Sequence, residues 1–189
     1  DAFEWTCKNI SQKKYKGIIL NNDSWFDIDT EISNKEYTPI NNNDKKKYIE
    51  NILSSKKFSY ELESKPKVSE IYNLMEKSYK NFEKIRQKIN WISNTIIILK
   101  IHDDNNEELM VGISCNGKGI NKISKNTLEE LEQYMIISLD IRLLNWLLIG
   151  PEKANWSNAD LGSHLKYDRV GSVYKRGLFY CLNHFFNVK

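Results

Sequence analysis

Cysteine is scarce in this sequence, with three residues, Cys7, Cys115 and Cys181, among 189 positions. They are odd in number and widely spaced, which argues against a disulfide framework, although one bridge plus a free thiol would also satisfy the count. The scarcity fits a reducing compartment. We therefore expect an intracellular protein, either cytoplasmic or at the cytoplasmic face of a membrane.

Strong net charge and long apolar runs are also missing. A formal charge of +3 gives no basis for specific nucleic-acid binding. The most apolar run, residues 134–149, contains Asp140 and Arg142 and is too short and too polar to span a bilayer. With only eight Gly and three Pro but abundant Asn, Lys and Ile, the composition is typical of an AT-rich genome.

A chain of this length can bury a substantial core, and its hydrophobic content of 40% is ordinary for a globular protein. No internal repeat or compositional boundary divides it, so we predict a single domain over residues 1–189. Because the sequence begins with Asp1 rather than Met, we expect it to be part of a larger protein.

The organising element predicted from the sequence is one helix over residues 127–149. Thr127 and Glu130 form a capping-box pattern, and the second half of the run is apolar on every side, as in a buried helix. Gly150-Pro151 ends the run. Three side chains of this helix are expected to be almost fully buried: Leu139, Leu143 and Trp146.

The remaining patterns predict an α+β fold, a mostly antiparallel sheet packed against about four helices. One helix follows Pro66, since apolar residues recur at helical spacing from Ile71 to Ile89, with Arg86 and several lysines on the opposite face. Before this helix we expect a hairpin of residues 17–20 and 25–28, a surface loop over 30–44, a helix over 45–57 and a strand over 58–62. The helix over 45–57 should turn four side chains inward: Tyr48, Ile49, Ile52 and Leu53. After the helix that follows Pro66 we expect a hairpin of residues 95–102 and 109–114 whose first strand lies mid-sheet, a polar connection over 152–170 with a helical turn near Ser157, and a last helix over 172–187.

Two motif-like patterns are incomplete. Residues 112–118 match the first part of a phosphate-binding loop, but Gly119 stands where a Ser or Thr is required and no helix follows directly. Cys181 and His184 have a spacing that metals use, yet with His102 they still lack a fourth ligand. The sequence therefore predicts neither a cofactor nor a metal site.

The segment 156–177 concentrates the residue types that bind ligands. The candidate ligand-binding residues are Trp156, His164, Tyr167, Arg169, Tyr174 and Arg176. Gly171-Ser172 opening a helix between two arginines suits an anion, and a histidine oriented by Asp160 or Asp168 suits acid–base work. We assign no catalytic residue, because no known triad spacing is present.

The alternative for the same segment is a structural clasp. A buried helix would leave Asp140 in need of a partner, and we expect that partner to be Arg169, Arg176 or His164.

A lysine patch is the most basic part of the chain, and it comprises Lys45, Lys46, Lys47, Lys56 and Lys57. A solvated surface is its simplest interpretation, and anionic lipid or nucleic acid is the alternative. Across the chain, the leading hypothesis is a non-catalytic binding or scaffold domain that meets a protein partner in a larger assembly. The alternatives are an enzyme acting on an anionic or phosphorylated small molecule through residues 156–177, and peripheral binding to an acidic membrane through the lysine patch.

Overall fold

The computed structural model describes Lys8 and residues 18–102, 108–171 and 175–188. The chain divides into two compact units, residues 1–56 and 57–189. The expectation of a single domain over 1–189 stays a prediction.

The first unit contains a small hairpin and a short helix. Strands β1 (Phe26–Asp27) and β2 (Ile32–Ser33) pair antiparallel, so the hairpin lies later than the one predicted from residues 17–20 and 25–28. Helix α1 (Asn42–Tyr48) is capped by Asn41, whose side-chain oxygen accepts from the backbone of Asn43 and Asp44. The helix continues as a π-helical turn, Ile49–Leu53. No described side chain of residues 18–56 is buried. The prediction that four side chains of this segment turn inward is therefore wrong. They are 44–51% exposed: Tyr48, Ile49, Ile52 and Leu53.

The second unit is a five-stranded sheet covered by helices. A 3₁₀ turn, Ser59–Leu62, is found where a strand was predicted. The further elements of the unit are, in order, α2 (Val68–Lys88), β3 (Ile96–His102), β4 (Glu108–Ser114), β5 (Ile120–Lys122), α3 (Lys125–Glu129), β6 (Tyr134–Ser138), α4 (Ile141–Ile149), α5 (Trp156–Leu161), β7 (Lys166–Val170) and α6 (Arg176–Leu182). The predicted α+β class is confirmed, with more helices than the four expected.

Strand β3 lies at the centre of the sheet, as the sequence predicted. The strand order is β5-β4-β3-β6-β7, and only the β3–β6 pair is parallel among the described strands. Ile97 and Leu99 of β3 and Val111 of β4 are fully buried. Helix α2 packs on this sheet through a stripe that begins with Ile71, Met75 and Phe82, all fully buried, which confirms the predicted helix.

The single helix predicted over 127–149 is wrong. Ser124, not Thr127, caps a short helix that ends at Glu129, and the chain then enters β6. Strand β6 lies between β3 and β7 and has Met135, Ile136 and Ile137 all buried, so no alternation of polar and apolar residues marks it as a strand. Helix α4 begins only after Asp140, and it is the buried, carboxyl-terminal part of the predicted helix.

Two of the three burial predictions for that run are confirmed. Leu139 and Leu143 are buried, at 8% and 4% exposure. Trp146 is only half-buried, because its indole Nε1 donates to the Glu63 carboxylate at 2.7 Å near the surface. Gly150 ends α4 with φ of 122°, a conformation that favours glycine, which agrees with the predicted stop.

The polar connection predicted over 152–170 contains more structure than expected. It holds α5, near the predicted helical turn, and the edge strand β7, which the sequence analysis missed. The last helix, predicted over 172–187, is observed as α6 over Arg176–Leu182. Residues 172–174 and Cys7 lie outside the described residues.

Candidate functional site

A cleft with a volume of about 390 Å³ is lined by residues of α5, β7 and α6. Trp156, the first residue of α5, contributes a wall from the core: it is 3% exposed, and its indole Nε1 donates to the Phe185 carbonyl at 3.0 Å. Asn155 caps α5 by accepting hydrogen bonds from the backbone of Ser157 and Asn158. The cap and the indole hydrogen bond together fix this wall of the cleft.

Strand β7 supplies the opposite wall through alternation. Side chains two apart on a strand share a face, so Tyr167 and Arg169 both reach the cleft, as does Leu165 immediately before the strand. The Arg169 guanidinium carbon lies 5.3 Å from the centroid of the Tyr167 ring and 5.9 Å from that of Phe179 on α6. These are cation–π distances, and they hold an exposed cation over aromatic surface.

The cleft combines an apolar interior with a polar rim. Trp156, Leu165 and Leu182 are buried, and Tyr167 and Phe179 are half-buried. The remaining lining residues are Ser157, Asp160, Leu161, Arg169 and Asn183. A ligand with an apolar body and a polar or anionic end matches this arrangement.

Tyr167 is held by a neighbouring carboxylate. Burial raises the pKa of the Tyr167 phenol, and a hydrogen bond and the negative charge of Asp160 raise this pKa further. The phenol is therefore neutral at physiological pH and donates to Asp160. Asp160 thus orients Tyr167 in the cleft, and not His164 as the sequence analysis had considered.

His164 belongs to a different environment. Its Nδ1 lies 3.2 Å from the Tyr60 hydroxyl, and its ring centroid is 4.4 Å from that of Phe58, edge to face. It lines two other cavities, of about 290 and 590 Å³, and the larger of these also contains Lys166. The alternation of side chains along the chain explains the separation, because His164 and Lys166 face away from Leu165 and Tyr167.

Of the six predicted ligand-binding residues, the structure brings together three, Trp156, Tyr167 and Arg169. Arg176, at the start of α6, is exposed and does not line the cleft. Tyr174 lies outside the described residues. Their role in binding stays a prediction.

Sequence reasoning missed the contributions of Phe179 and Leu182 to the cleft. Both belong to the last helix and pack against the main core, Leu182 buried and Phe179 half-buried. Their position opposite β7 depends on a strand that the sequence analysis did not identify.

Asp140 has a partner, but not one of those predicted. It is the N-cap of α4: its Oδ1 accepts from the Arg142 backbone at 2.8 Å, and its carboxylate accepts from the Arg142 guanidinium at 2.7 and 3.0 Å. The same guanidinium donates to the Glu61 carbonyl at 2.7 Å and so ties α4 to the 3₁₀ turn. The prediction that Asp140 pairs with Arg169, Arg176 or His164 is therefore wrong. An aspartate at an N-cap needs no distant counter-ion, because the first turn of the helix itself supplies hydrogen-bond donors.

Asp140→Ala is expected to lower the free energy of unfolding by about 1–2 kcal/mol, the usual cost of losing an N-cap. Asp140→Asn retains the capping oxygen and should lose less. Urea unfolding of both variants checks this, and equal losses would show that the charge, not the cap, stabilises the helix end.

The pH dependence of this contribution has a definite sign. Burial alone would raise the pKa of Asp140, but the hydrogen bonds from the Arg142 side chain and backbone outweigh it, so the pKa lies below its ordinary value. A depressed pKa means that the stabilisation is present above about pH 4, the ordinary aspartate range, and is lost as the pH falls through the folded-state pKa.

No grouping of three or more His, Cys, Asp or Glu side chains suited to a metal occurs within the described ranges. Cys115 and Cys181 are buried free thiols, and burial raises the pKa of Cys115 to about 12 and that of Cys181 to about 11. They are therefore protonated at physiological pH and serve as apolar core side chains. Where helices are described, none has the combined length and apolarity that crossing a bilayer requires.

The chain matches no family model and no curated protein. Several solved structures resemble part of the chain at low TM-scores. Sterol carrier protein 2 from Yarrowia lipolytica, in its apo form, has 14% identity and a TM-score of 0.39 over 60% of this chain and 88% of its own. The sterol carrier protein domain 2 of Helicoverpa armigera has 19% identity and a TM-score of 0.41 over 64% and 89%. A conserved hypothetical protein of Thermus thermophilus, described as a candidate sterol carrier protein, has 9% identity and a TM-score of 0.40 over 62% and 82%.

Proposed function

We propose that residues 57–189 form a non-catalytic binding domain whose cleft takes a small amphipathic anion. The observation that carries the proposal is Arg169, whose guanidinium lies over two aromatic rings at the cleft and has no carboxylate within salt-bridge distance among the described residues. A cation in this position is available to an anionic group, while the aromatic and aliphatic walls are available to an apolar body.

The size of the cleft limits the ligand. A volume of about 390 Å³ lies at the lower end of the range of roughly 300–1,000 Å³ that is typical of small-molecule sites. The polar groups around it also restrict the ligand, because the Asp160 carboxylate disfavours a second negative charge near Tyr167. A single anionic group beside Arg169, attached to an apolar chain or ring, satisfies both conditions.

The absence of a catalytic arrangement at the cleft supports binding over catalysis. A general base must reach the proton it abstracts, at roughly 2.6–3.2 Å between heavy atoms. Among the side chains that the structure describes, no Ser, Thr or Cys is hydrogen-bonded to a histidine, and His164 has Tyr60 as its partner away from the cleft. The expected protein partner of a larger assembly remains a prediction.

Isothermal titration calorimetry with three matched probes tests the proposal. Octanoate below its micelle concentration carries both a carboxylate and an apolar chain, octanol carries only the chain, and acetate carries only the carboxylate. Octanoate is expected to bind with the highest affinity, because it alone meets Arg169 and the apolar walls together.

The variant Arg169→Gln is expected to weaken octanoate binding at least about tenfold, since a charge-assisted hydrogen bond contributes about 1.5–3 kcal/mol. Arg176→Gln is the matched control: it removes the same charge from an exposed position that does not line the cleft, and it should change the affinity by less than about twofold. No octanoate binding, equal binding of octanol, or equal losses in the two variants would overturn the proposal.

A further inference from the structure

Helix α1 and its π-helical turn carry an apolar surface that the described part of the chain does not bury. Tyr48, Ile49, Ile52 and Leu53 are 51%, 45%, 51% and 44% exposed. Tyr48 and Ile52, and likewise Ile49 and Leu53, are four residues apart, about one helical turn, so each pair lies on the same side of the segment. This patch is independent of the cleft, which lies in the other unit.

Positive charge flanks the patch on both sides along the chain. The lysine patch defined above places Lys45, Lys46 and Lys47 before the apolar residues and Lys56 and Lys57 after them, against two carboxylates, Asp44 and Glu50, within residues 42–57. All five lysines are exposed.

These charges are largely uncompensated. Lys46 lies 3.8 Å from Glu50, but their side chains are 75% and 58% exposed, so this pair is weak. Within the described ranges, the other four lysines have no carboxylate at salt-bridge distance.

We propose that residues 42–56 of the first unit bind an acidic lipid surface. The apolar side chains enter the boundary between headgroups and acyl chains, and the lysines extend along that boundary to lipid phosphates and carboxylates. Charge complementarity favours a membrane over a protein groove, because cations at both ends of the patch require anions on both sides of the occupant. An acidic bilayer supplies negative charge continuously around the inserted residues.

Co-sedimentation of the full chain with vesicles tests this inference. Binding is expected to vesicles of phosphatidylcholine mixed with phosphatidylserine and to be at least tenfold weaker to phosphatidylcholine alone. Binding should also fall as the salt concentration rises from about 0.1 M, where the Debye length is about 10 Å, to about 1 M, where it is about 3 Å.

Two variants separate the contributions of charge and insertion. The triple variant K45Q/K46Q/K47Q removes the leading cations, and Ile52→Ser removes an exposed apolar side chain; each should weaken binding at least about fivefold. The matched control is K77Q/K80Q/K84Q, which removes the same charge from exposed positions of α2 and should bind as the parent does. Circular dichroism confirms that each variant is folded, which is expected because all substituted side chains are exposed.

Three results would overturn the inference. The first is no sedimentation with acidic vesicles. The second is an equal loss of vesicle binding in the two triple variants, which would show a response to net charge alone. The third is unchanged vesicle binding of Ile52→Ser, which would show adsorption without insertion. Self-association in light scattering that Ile52→Ser abolishes, with no vesicle binding, would assign the patch to a second copy of the chain instead. Octanoate binding is measured separately, so the proposed ligand site in the cleft is tested independently of vesicle binding.

Discussion

Leu147→Ala is expected to lower the free energy of unfolding by about 2–5 kcal/mol, the range for large-to-small substitutions in a core. Leu147 is fully buried in α4, the helix that belongs to the main core together with β3, β4 and α2. The substitution removes apolar area from the core and leaves a cavity that rigid neighbours on the sheet only partly fill.

Leu161→Ala is the matched control for this prediction. It is the same chemical change in the same unit, at a residue that is 84% exposed, and it should alter stability by less than about 0.5 kcal/mol. Urea unfolding followed by circular dichroism measures both. If the two variants lose similar stability, or if Leu147→Ala loses less than about 1 kcal/mol, α4 is not the core helix that the structure shows.

The stretch from Tyr134 to Ile149 shows why burial is easier to predict than secondary structure. Its lack of a polar stripe correctly indicated a buried position, but a strand with neighbours on both sides is also apolar throughout. The signal that separates strand from helix was Asp140, a residue type that favours N-cap positions. As a charge inside a helix, Asp140 would need a distant partner. As an N-cap, it marks where α4 begins.

Arg86 illustrates the same difficulty on a helix that was correctly predicted. The sequence analysis placed it with the lysines on the polar face, but it is 7% exposed. The buried positions Ile71, Met75, Ser78 and Phe82 continue to Arg86 in steps of four, three, four and four residues, so periodicity did contain this information. Residue type outweighed position in the prediction, because arginine is rarely buried unless it is paired.

The cleft could be predicted only in part, because its walls come from elements far apart in the sequence. Trp156, Tyr167 and Arg169 were predicted together from local composition alone. His164 lies nearby in sequence but faces other cavities, and that separation depends on the extended chain that leads into β7. Strand β7 was missed because it is a mostly exposed edge strand of mixed polarity, which lacks a clear two-residue apolar pattern.

Removal of Glu83 is expected to destabilise the second unit strongly. Glu83 accepts two hydrogen bonds from the Arg86 guanidinium, both at 2.7 Å, and the side chains of the pair are only 18% and 9% exposed. The third donor of this guanidinium, Nη1, meets the Trp91 carbonyl at 2.7 Å. Glu83→Ala leaves a buried guanidinium without its counter-ion, and we expect a loss of about 3–5 kcal/mol, the range for breaking one partner of a buried pair.

Glu83→Gln separates the charge from the hydrogen bonds and gives this prediction its pH dependence. Hydrogen bonds from Arg86 are the main cause that lowers the pKa of Glu83, and burial opposes them only in part. A lowered folded-state pKa means that the pair stabilises the fold above the ordinary glutamate pKa of about 4.3 and that this stabilisation is lost as the pH falls through the lowered value. The parent should therefore exceed Glu83→Gln in stability at pH 7, and the difference should shrink below about pH 4.

Glu76→Gln is the control for this pair, since it makes the same change at an exposed position of the same helix. It should stay within about 0.5 kcal/mol of the parent at every pH. Urea unfolding at pH 7 and at successive lower pH values measures all three proteins. A Glu83→Gln variant as stable as Glu76→Gln at pH 7, or a difference from the parent that does not change on acidification, would show that Arg86 is tolerated in the core without a charged partner.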